Sequence, residues 1–252
     1  MPGEPLAGLV AVVTGVGGPR GIGFATAAAL GALGASLVVS ASSERVHERA
    51  AELPAGTGSH VGDLTRPETA DDLVATALTR FGRVDVAVHC AGMTSVLSTV
   101  DESGRAADLT FGIWRASLAR NLDTAFLFAR AVLDAGARRL VMVASLTGPV
   151  MGMRGEVAYG AAKAGVVGLV RGLALDAAGE GVTVNAVAPG WIATDSQTPH
   201  EHAQGLRTPM GRSGTAAEVA SLIAYLCTPS ASYVTGQCLV VDGGNSIAEE
   251  RA

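Results

Sequence analysis

Two side chains one helical turn apart carry the clearest chemical signal in the sequence. Tyr159 and Lys163 are separated by Gly-Ala-Ala in a segment of helical composition, so their side chains are expected on one helix face. A tyrosine hydroxyl has an ordinary pKa of about 10, and a nearby ammonium group favours the phenolate. The pair is therefore predicted to donate and accept a proton near neutral pH.

Lysine occurs nowhere else in the chain. The sequence has 18 basic residues, and Lys163 is the only one that is not arginine. The forked guanidinium group of arginine does not replace a compact ammonium group. The presence of lysine at this one position therefore strengthens the catalytic interpretation of the pair over a chance occurrence.

Two further polar residues are candidates for the same centre. Ser145 follows an apolar run that is typical of a strand, so its hydroxyl is expected at a carboxyl strand end, within reach of a substrate carbonyl. Asn121 lies inside a long helical segment, where a buried amide needs hydrogen-bond partners. Taken singly, Ser145 is equally explained as a helix cap and Asn121 as a packing or surface residue. The combination with Tyr159 and Lys163 favours catalysis.

A glycine-rich turn joins the first predicted strand to an alanine-rich helix. Residues 14–23 read TGVGGPRGIG. Glycines let a phosphate approach the backbone, and the free N–H groups and dipole at a helix start favour negative charge. The alternative is a simple tight turn. The strand-turn-helix context predicts a pyrophosphate site at this turn, with Gly15, Gly17, Gly21, Ile22 and Gly23 as cofactor-binding residues.

The end of the second predicted strand bears on the choice of nicotinamide cofactor. Dinucleotide folds that prefer NAD usually have an acid there for the ribose 2′-hydroxyl, whereas this chain has Ala41 followed by Ser42 and Ser43. Together with Arg20 and Arg45, these small residues leave room and positive charge for a 2′-phosphate. NADP(H) is therefore predicted, and NAD(H) is the alternative if Arg45 is merely a solvated helix residue.

The elements that must position these residues follow a regular alternation. Apolar, β-branched runs alternate with longer segments of helical period, which indicates a parallel sheet with crossover helices. The predicted strands are 9–14, 36–40, 59–62, 84–89, 138–144, 182–188 and 238–241, and the predicted helices are 21–33, 43–53, 66–81, 109–135, 157–178 and 215–227. Right-handed crossovers give a doubly wound, Rossmann-type α/β sheet of about seven strands, with its ligand at the carboxyl strand ends.

Length and composition limit the class of protein. The 252 residues contain no repeat or low-complexity linker, which indicates a single domain over 1–252. Charged residues interrupt every apolar run before the roughly 20 residues that a membrane span needs. A net charge of −5 and an aromatic content of 4% disfavour nucleic acid as a partner. Three scattered cysteines and an acidic start without a signal peptide predict a cytoplasmic protein with no disulfide framework and no metal.

With these motifs in place, residues 6–246 resemble the short-chain dehydrogenase/reductase family, especially members similar to bacterial 3-oxoacyl-acyl-carrier-protein reductases. The resemblance implies that Tyr159 is the general acid and base. It implies that Lys163 lowers the pKa of this tyrosine and binds the nicotinamide ribose. Ser145 would orient the substrate carbonyl, and Asn121 would hold a water in a proton relay through the lysine.

The resemblance also implies further cofactor contacts. Asp63 and Leu64 match the pair that contacts adenine, and Asn185 belongs to a segment that closes over the nicotinamide. The other contacts are expected at Ala91, Gly92, Pro189, Gly190, Ile192 and Thr194, besides Tyr159 and Lys163. The chain departs from the family pattern in two places. Its glycine-rich turn is two residues longer, and Cys90 stands where the family usually has asparagine.

The family pattern divides the domain by role. Residues of about 6–145 would bind the dinucleotide, and about 145–246 would provide the catalytic and substrate half. The stretch 190–214, rich in Pro, Thr, His and Gly, is predicted to be a mobile lid, with a plain surface loop as the alternative. The loop 93–105 would form another wall of the substrate pocket. The resemblance also implies that the protein forms a homotetramer or homodimer.

The expected reaction is hydride transfer between NADP(H) and a carbonyl or secondary alcohol. Reduction of a 3-oxoacyl thioester, carried on acyl carrier protein or coenzyme A, leads the candidate substrates. One alternative is an NAD(H)-dependent alcohol dehydrogenase of a secondary-metabolite or catabolic pathway. Another is a dinucleotide-binding sensor without turnover, which the complete set of Ser145, Tyr159 and Lys163 disfavours.

Overall fold

A seven-stranded parallel sheet forms the centre of the computed structural model, which describes residues 4–92 and 104–249. The strands follow the order β3-β2-β1-β4-β5-β6-β7 across the sheet. Their bounds are β1 Val10–Thr14, β2 Ser36–Ala41, β3 Gly58–Val61, β4 Val86–His89, β5 Arg139–Val143, β6 Thr183–Pro189 and β7 Cys238–Val241. The predicted Rossmann-type fold is confirmed, and each strand end lies within two residues of its predicted position.

Eight α-helices accompany the sheet in the described part of the chain. Their bounds are α1 Ile22–Ala32, α2 Arg45–Ala51, α3 Pro67–Phe81, α4 Phe111–Leu118, α5 Thr124–Asp134, α6 Val157–Ala177, α7 Pro199–Gly205 and α8 Ala216–Cys227. One apolar core lies between the sheet and α3, α5 and α6, and the other lies between the sheet and α1 and α8. Strands covered on both faces explain why the sequence shows continuous apolar runs rather than an alternating pattern.

Two parts of the helix prediction are wrong. The predicted helix 109–135 is two α-helices joined by a π-helical turn, Ala119–Asp123. Such a turn inserts an extra residue, and composition and period give no sign of it. The predicted lid contains α7, which begins with a capping box between Thr198 and Glu201 and has Pro199 in its first turn. That signal was present in the sequence as Thr-Pro-x-Glu.

The strand order reverses between β1 and β4, and hydrogen bonds join the carboxyl ends of these two strands. The backbone N–H groups of Cys90 and Ala91 donate to Thr14 Oγ1 at 3.1 and 3.2 Å. Gly15 has φ +74°, and a Cβ atom on it would lie 2.7 Å from the Cys90 carbonyl. The reversal opens a crevice at the carboxyl ends of the strands, where doubly wound folds bind ligands.

Helix α6 is the most apolar long helix of the described residues. The stretch Val157–Glu180 has 24 residues and contains an 18-residue window with a mean hydropathy of 1.2, which is long and apolar enough to span a membrane by length and composition alone. In this fold the helix packs on β6, and its buried face joins the core beside α5. Packing in the protein core therefore accounts for the buried part of its apolar sequence, whereas Leu175 on the same helix is exposed.

Candidate active site

Tyr159 and Lys163 lie in the first turns of α6, as predicted, with their side chains next to each other. Lys163 is 3% exposed, and its Nζ atom lies 5.7 Å from the centroid of the Tyr159 ring. The same ammonium group donates to the carbonyl of Val143, the last residue of β5, at 3.0 Å. This bond fixes the lysine head group at the carboxyl edge of the sheet.

The electrostatics of the pair differ from the expectation that the lysine lowers the pKa of the tyrosine. Burial raises the pKa of Tyr159 to about 12, although a hydrogen bond with Ser145 acts in the opposite direction. Burial lowers the pKa of Lys163 to about 8. Loss of water therefore disfavours the charged form of both groups.

Ser145 lies two residues beyond β5 and contacts the tyrosine. Its hydroxyl hydrogen-bonds with the Tyr159 side chain and accepts the backbone N–H of Thr147 at 3.1 Å. The loop reaches α6 because Gly148 has φ +103° and lies against the backbone of Gly160, where a Cβ atom on Gly148 would collide with the Gly160 carbonyl. This close contact brings Ser145 and Tyr159 together.

Asn121 lies in the π-helical turn and is completely buried. Its Nδ2 atom donates to the carbonyl of Ser117 at 3.2 Å. A Cβ atom on Gly92 would lie 2.8 Å from Asn121 Oδ1 and 3.4 Å from Lys163 Nζ. Asn121 and Lys163 thus approach the same point of the backbone after β4, and this part of the predicted catalytic set is brought together.

The glycine-rich turn has the geometry of a phosphate cradle. Gly21 is the N-cap of α1, and none of the described residues caps this helix with a side chain. The helix begins directly against the turn, since a Cβ atom on Gly23 would lie 2.5 Å from the carbonyl of Gly15. N–H groups at an uncapped helix start suit an anionic ligand. The residues present therefore fit the pyrophosphate of a dinucleotide.

The end of β2 adjoins this turn. A Cβ atom on Gly17 would lie 3.5 Å from Ala41 Cβ, and Ser42 is exposed just beyond. Arg45 Nε donates to Ser43 Oγ at 3.3 Å. Ser43 and Arg45, two of the residues that the sequence assigns to a 2′-phosphate, are therefore in contact.

Arg20 has a partner that the sequence did not predict. Its Nε atom pairs with Asp195 Oδ1 at 2.6 Å, and its backbone N–H donates to Asp195 Oδ2 at 3.0 Å. This contact joins the glycine-rich turn to the segment after β6. Beside it lies an open cavity of about 450 Å³, lined by Arg20, Ala193, Thr194, Gln197, Thr198, Pro199 and His202.

The residues expected to contact the two ends of the cofactor lie after β3 and after β6, and their surroundings differ. After β3, Asp63 is exposed and its Oδ1 accepts the backbone N–H and hydroxyl of Thr65, while Leu64 is buried. After β6, the N–H of Gly190 donates to the carbonyl of Val241 at 2.9 Å, which holds the segment beside β7. Residues 93–103, which form most of the predicted pocket loop, lie outside the described residues.

The segment after Pro189 continues along the crevice. Ile192 bridges to Gly214, and the Thr194 hydroxyl lies 3.0 Å from that of Ser196. Asn185 has a different place: it is buried within β6, its Nδ2 donates to the Val234 carbonyl at 2.7 Å, and its Oδ1 accepts from the Gln237 N–H at 3.1 Å. Its amide therefore holds the entry to β7 rather than facing a cofactor.

Comparisons with known proteins agree with this arrangement. A family profile described as enoyl-(acyl carrier protein) reductase, of the short-chain dehydrogenase/reductase type, matches residues 15–246. The 3-oxoacyl-[acyl-carrier-protein] reductase of Synechocystis is 40% identical, with 93% of this chain and 96% of that protein covered. The chain belongs to the short-chain dehydrogenase/reductase family. The protein is accordingly an oxidoreductase that acts on CH–OH and C=O groups.

Two other similar proteins have names that describe different reactions. The 2,3-dihydroxy-2,3-dihydro-p-cumate dehydrogenase of Pseudomonas putida is 36% identical, with 96% of each chain covered. The crystal structure of levodione reductase superimposes with a TM-score of 0.88 at 29% identity, covering 96% of this chain and 99% of that one. The family member described here uses a nicotinamide dinucleotide. Among the described residues, no group of three or more His, Cys, Asp or Glu is arranged to hold a metal ion.

Proposed function

We propose that the protein is an NADP(H)-dependent reductase of 3-oxoacyl thioesters. The observation that carries the proposal is the convergence of Ser145, Tyr159 and Lys163 at the carboxyl end of β5, beside an uncapped glycine-rich turn. The similarity to the Synechocystis 3-oxoacyl-[acyl-carrier-protein] reductase supports the substrate class.

The residues around the substrate carbonyl would each have a separate role in proton transfer. When bound, the nicotinamide supplies or accepts the hydride. The Ser145 and Tyr159 hydroxyls, which hydrogen-bond with each other, would both donate to a substrate oxygen placed between them. Tyr159 would deliver its proton to that oxygen as negative charge develops there, and the Lys163 ammonium would stabilise the resulting phenolate. Asn121 would position a water that returns the proton through Lys163.

Several residues would hold the cofactor. The turn residues Gly15, Gly17 and Gly21 with Ile22 and Gly23 would bind the pyrophosphate. Ser42, Ser43 and Arg45 support NADP(H), because β2 ends at Ala41 where folds that prefer NAD usually have an acid that binds the ribose hydroxyl. The remaining contacts would come from Asp63, Leu64, Ala91, Gly92, Pro189, Gly190, Ile192 and Thr194.

The proposed enzyme would also have a lid, a carrier-bound substrate and an oligomeric state. Residues 190–214, with α7 inside them, would form a lid over the nicotinamide half of the crevice. The substrate would arrive on acyl carrier protein or coenzyme A, in the cytoplasm. The enzyme would act as a homotetramer or homodimer through the long helices that carry Asn121 and Tyr159.

A second candidate function is the reverse reaction, oxidation of an alcohol with NAD(H). The observation that favours it is the similarity to the Pseudomonas putida dihydrodiol dehydrogenase over 96% of the chain. The same hydroxyl pair would then hold the alcohol, and Tyr159 would accept its proton as the phenolate.

A substrate panel distinguishes these functions. The purified enzyme is mixed with NADPH or NADH and with acetoacetyl-coenzyme A, the corresponding acyl-carrier-protein thioester, crotonyl-coenzyme A or a free ketone. In a second set it is mixed with NADP⁺ or NAD⁺ and a diol, and nicotinamide absorbance is followed in both. We expect the highest kcat/KM for NADPH with an acetoacetyl thioester. Faster reduction of crotonyl-coenzyme A would indicate a C=C reductase, and a clear preference for NAD⁺ with a diol would indicate the dehydrogenase. Dinucleotide binding without turnover of any substrate would indicate a sensor.

A further inference from the structure

An acidic side chain of the segment after β6 is bound to the glycine-rich turn. Asp195 Oδ2 accepts the backbone N–H of Arg20 at 3.0 Å, and Oδ1 pairs with Arg20 Nε at 2.6 Å. The Oδ2 atom also lies 3.3 Å from the position that a Cβ atom on Gly18 would occupy. A carboxylate of the protein therefore already occupies an anion-binding position of the turn.

The local electrostatics show that this position favours an anion. The hydrogen bonds from Arg20 hold the pKa of Asp195 below its ordinary value, so the carboxylate is charged at neutral pH. In return, the carboxylate compensates the charge of Arg20. Arg20 is also the only cation in residues 14–23 and one of the residues that the sequence assigns to the 2′-phosphate, with Arg45 the other cation. Arg20 can therefore pair with either of two anions, the Asp195 carboxylate or the 2′-phosphate.

We propose that Asp195 is a specificity-determining residue for the dinucleotide, because its carboxylate competes with the 2′-phosphate for Arg20 and reduces the preference for NADP(H) over NAD(H). This inference rests on the proposed use of a nicotinamide dinucleotide in the same crevice. The pyrophosphate is common to both cofactors, so its repulsion by Asp195 cancels in the comparison. The 2′-phosphate occurs only in NADP(H), so the competition for Arg20 acts on that cofactor alone.

The position of the ion pair makes the inference testable without damage to the fold. The side chains of Arg20 and Asp195 are 75% and 34% exposed, and exposed ion pairs contribute little to stability. Asparagine has the shape of aspartate and can still accept the backbone N–H of Arg20. The substitution Asp195→Asn therefore removes the charge and leaves the turn in place.

The experiment measures dissociation constants by calorimetry, without substrate, for NADPH and NADH. The wild-type protein is compared with Asp195→Asn and with Asp71→Asn, which breaks an exposed ion pair with Arg130 between α3 and α5. We expect Asp195→Asn to lower the Kd for NADPH about tenfold and that for NADH less than about threefold. Asp71→Asn is expected to change neither.

A second background tests whether the effect acts through Arg20. In an Arg20→Gln protein, Asp195→Asn is expected to alter NADPH and NADH affinity by the same factor. Weaker NADPH binding in Asp195→Asn would overturn the inference and show that the carboxylate instead clamps the crevice shut over the cofactor. An unchanged ratio of the two affinities would overturn it as well. Failure of the wild-type protein to bind either dinucleotide would overturn the proposed function itself, which separates the two failures.

Discussion

At the scale of single residues, Lys163 is a charge in an unfavourable place. Its ammonium group is almost fully buried and donates to a backbone oxygen, that of Val143, at 3.0 Å. A buried charge destabilises a fold unless strong partners compensate the lost water. The proposed role beside Tyr159 gives a reason to retain lysine where an apolar side chain would pack with less penalty.

This placement predicts that Lys163→Met stabilises the fold at neutral pH. The pKa of Lys163 falls from 10.5 in the unfolded chain to about 8 in the folded protein. The unfolded chain therefore binds more protons between these values, and wild-type stability rises with pH across that window. We expect the variant to exceed the wild-type free energy of unfolding by up to about 3 kcal/mol at pH 7.

The pH dependence separates this effect from better packing alone. Urea unfolding at pH 7 and at pH 10 should show the advantage of Lys163→Met shrinking as the wild-type lysine loses its proton in the folded state. An advantage that stays constant over this range would point to packing. A variant less stable than the wild type at pH 7 would contradict the buried-charge explanation.

Tyr159→Phe tests the proton donor. Without the hydroxyl, Ser145 alone would face the substrate oxygen, and we expect kcat to fall about 10²- to 10⁴-fold. The Kd for NADPH should stay within about threefold, since the ring and Lys163 are retained. Tyr233→Phe, at a fully exposed tyrosine, is the matched control and should behave as wild type. Near-normal turnover of Tyr159→Phe in stopped-flow assays would refute the assignment.

The residue types of this centre could be predicted from the sequence, but their energetics could not. Tyr159, Lys163 and Ser145 were recognisable because helical spacing and strand ends are local features. The raised pKa of Tyr159 results from burial by distant segments, and spacing alone does not reveal burial. The pairing of Arg20 with Asp195 spans 175 positions of the chain, so neither residue indicates the other locally.

At the scale of elements, the close approach of the β5 loop to α6 determines how the site is assembled. Gly148 has φ +103° and leaves no space for a Cβ atom, whereas a Cβ atom on Gly160 would find only ordinary contacts at 3.7 Å or more. The two glycines face each other, but only one of them must be glycine. This asymmetry provides a matched pair of substitutions.

Gly148→Ala is expected to disrupt the site, and Gly160→Ala is expected to be tolerated. The added methyl group at Gly148 would push the loop away from α6 and separate Ser145 from Tyr159. We expect kcat/KM to fall at least about tenfold, with a loss of stability of about 1–3 kcal/mol. Gly160→Ala lies inside a helix and should be neutral or slightly stabilising. Equal effects of the two substitutions, in assays and thermal melts, would contradict the geometry.

Sequence periodicity predicted the strands of this fold but not the π-helical turn. Strand positions were predictable because strands covered on both faces leave uninterrupted apolar runs. The π-helical turn at Ala119–Asp123 was not, because composition and period do not mark such a turn; in the structure α4 and the turn itself pack against α6. Asn121 was therefore assigned to the correct segment but to the wrong kind of helix.

At the scale of the whole molecule, the order of the strands brings the site together. Residues from six strand ends contribute to one crevice because every strand pair is parallel and the order reverses between β1 and β4. The alternation of elements predicted a doubly wound parallel sheet of about seven strands, and the structure adds the order of those strands. It could not predict the shape of the substrate pocket, which depends on side chains in connecting loops with no periodic pattern.

Exposed apolar side chains on the helices near the site predict self-association. Phe126 on α5 and Leu175 on α6 are 49% and 81% exposed. Such side chains are often covered in oligomers. We expect light scattering to give two or four times the 25.2 kDa of one chain, and Phe126→Glu with Leu175→Glu to lower that mass. Leu78→Glu on α3 is the control. A monomeric wild type would contradict this prediction.

The single lysine also makes the protein unusually easy to observe. Biosynthetic labelling with lysine that carries ¹³C at the ε-carbon would place one reporter in the whole chain, at the head group between Tyr159 and Val143. Its NMR spectrum would contain one protein signal and would need no assignment. The chemical shift would report whether the amine is charged as dinucleotide and substrate are added in turn, so the protonation state of this centre could be followed through each step of binding.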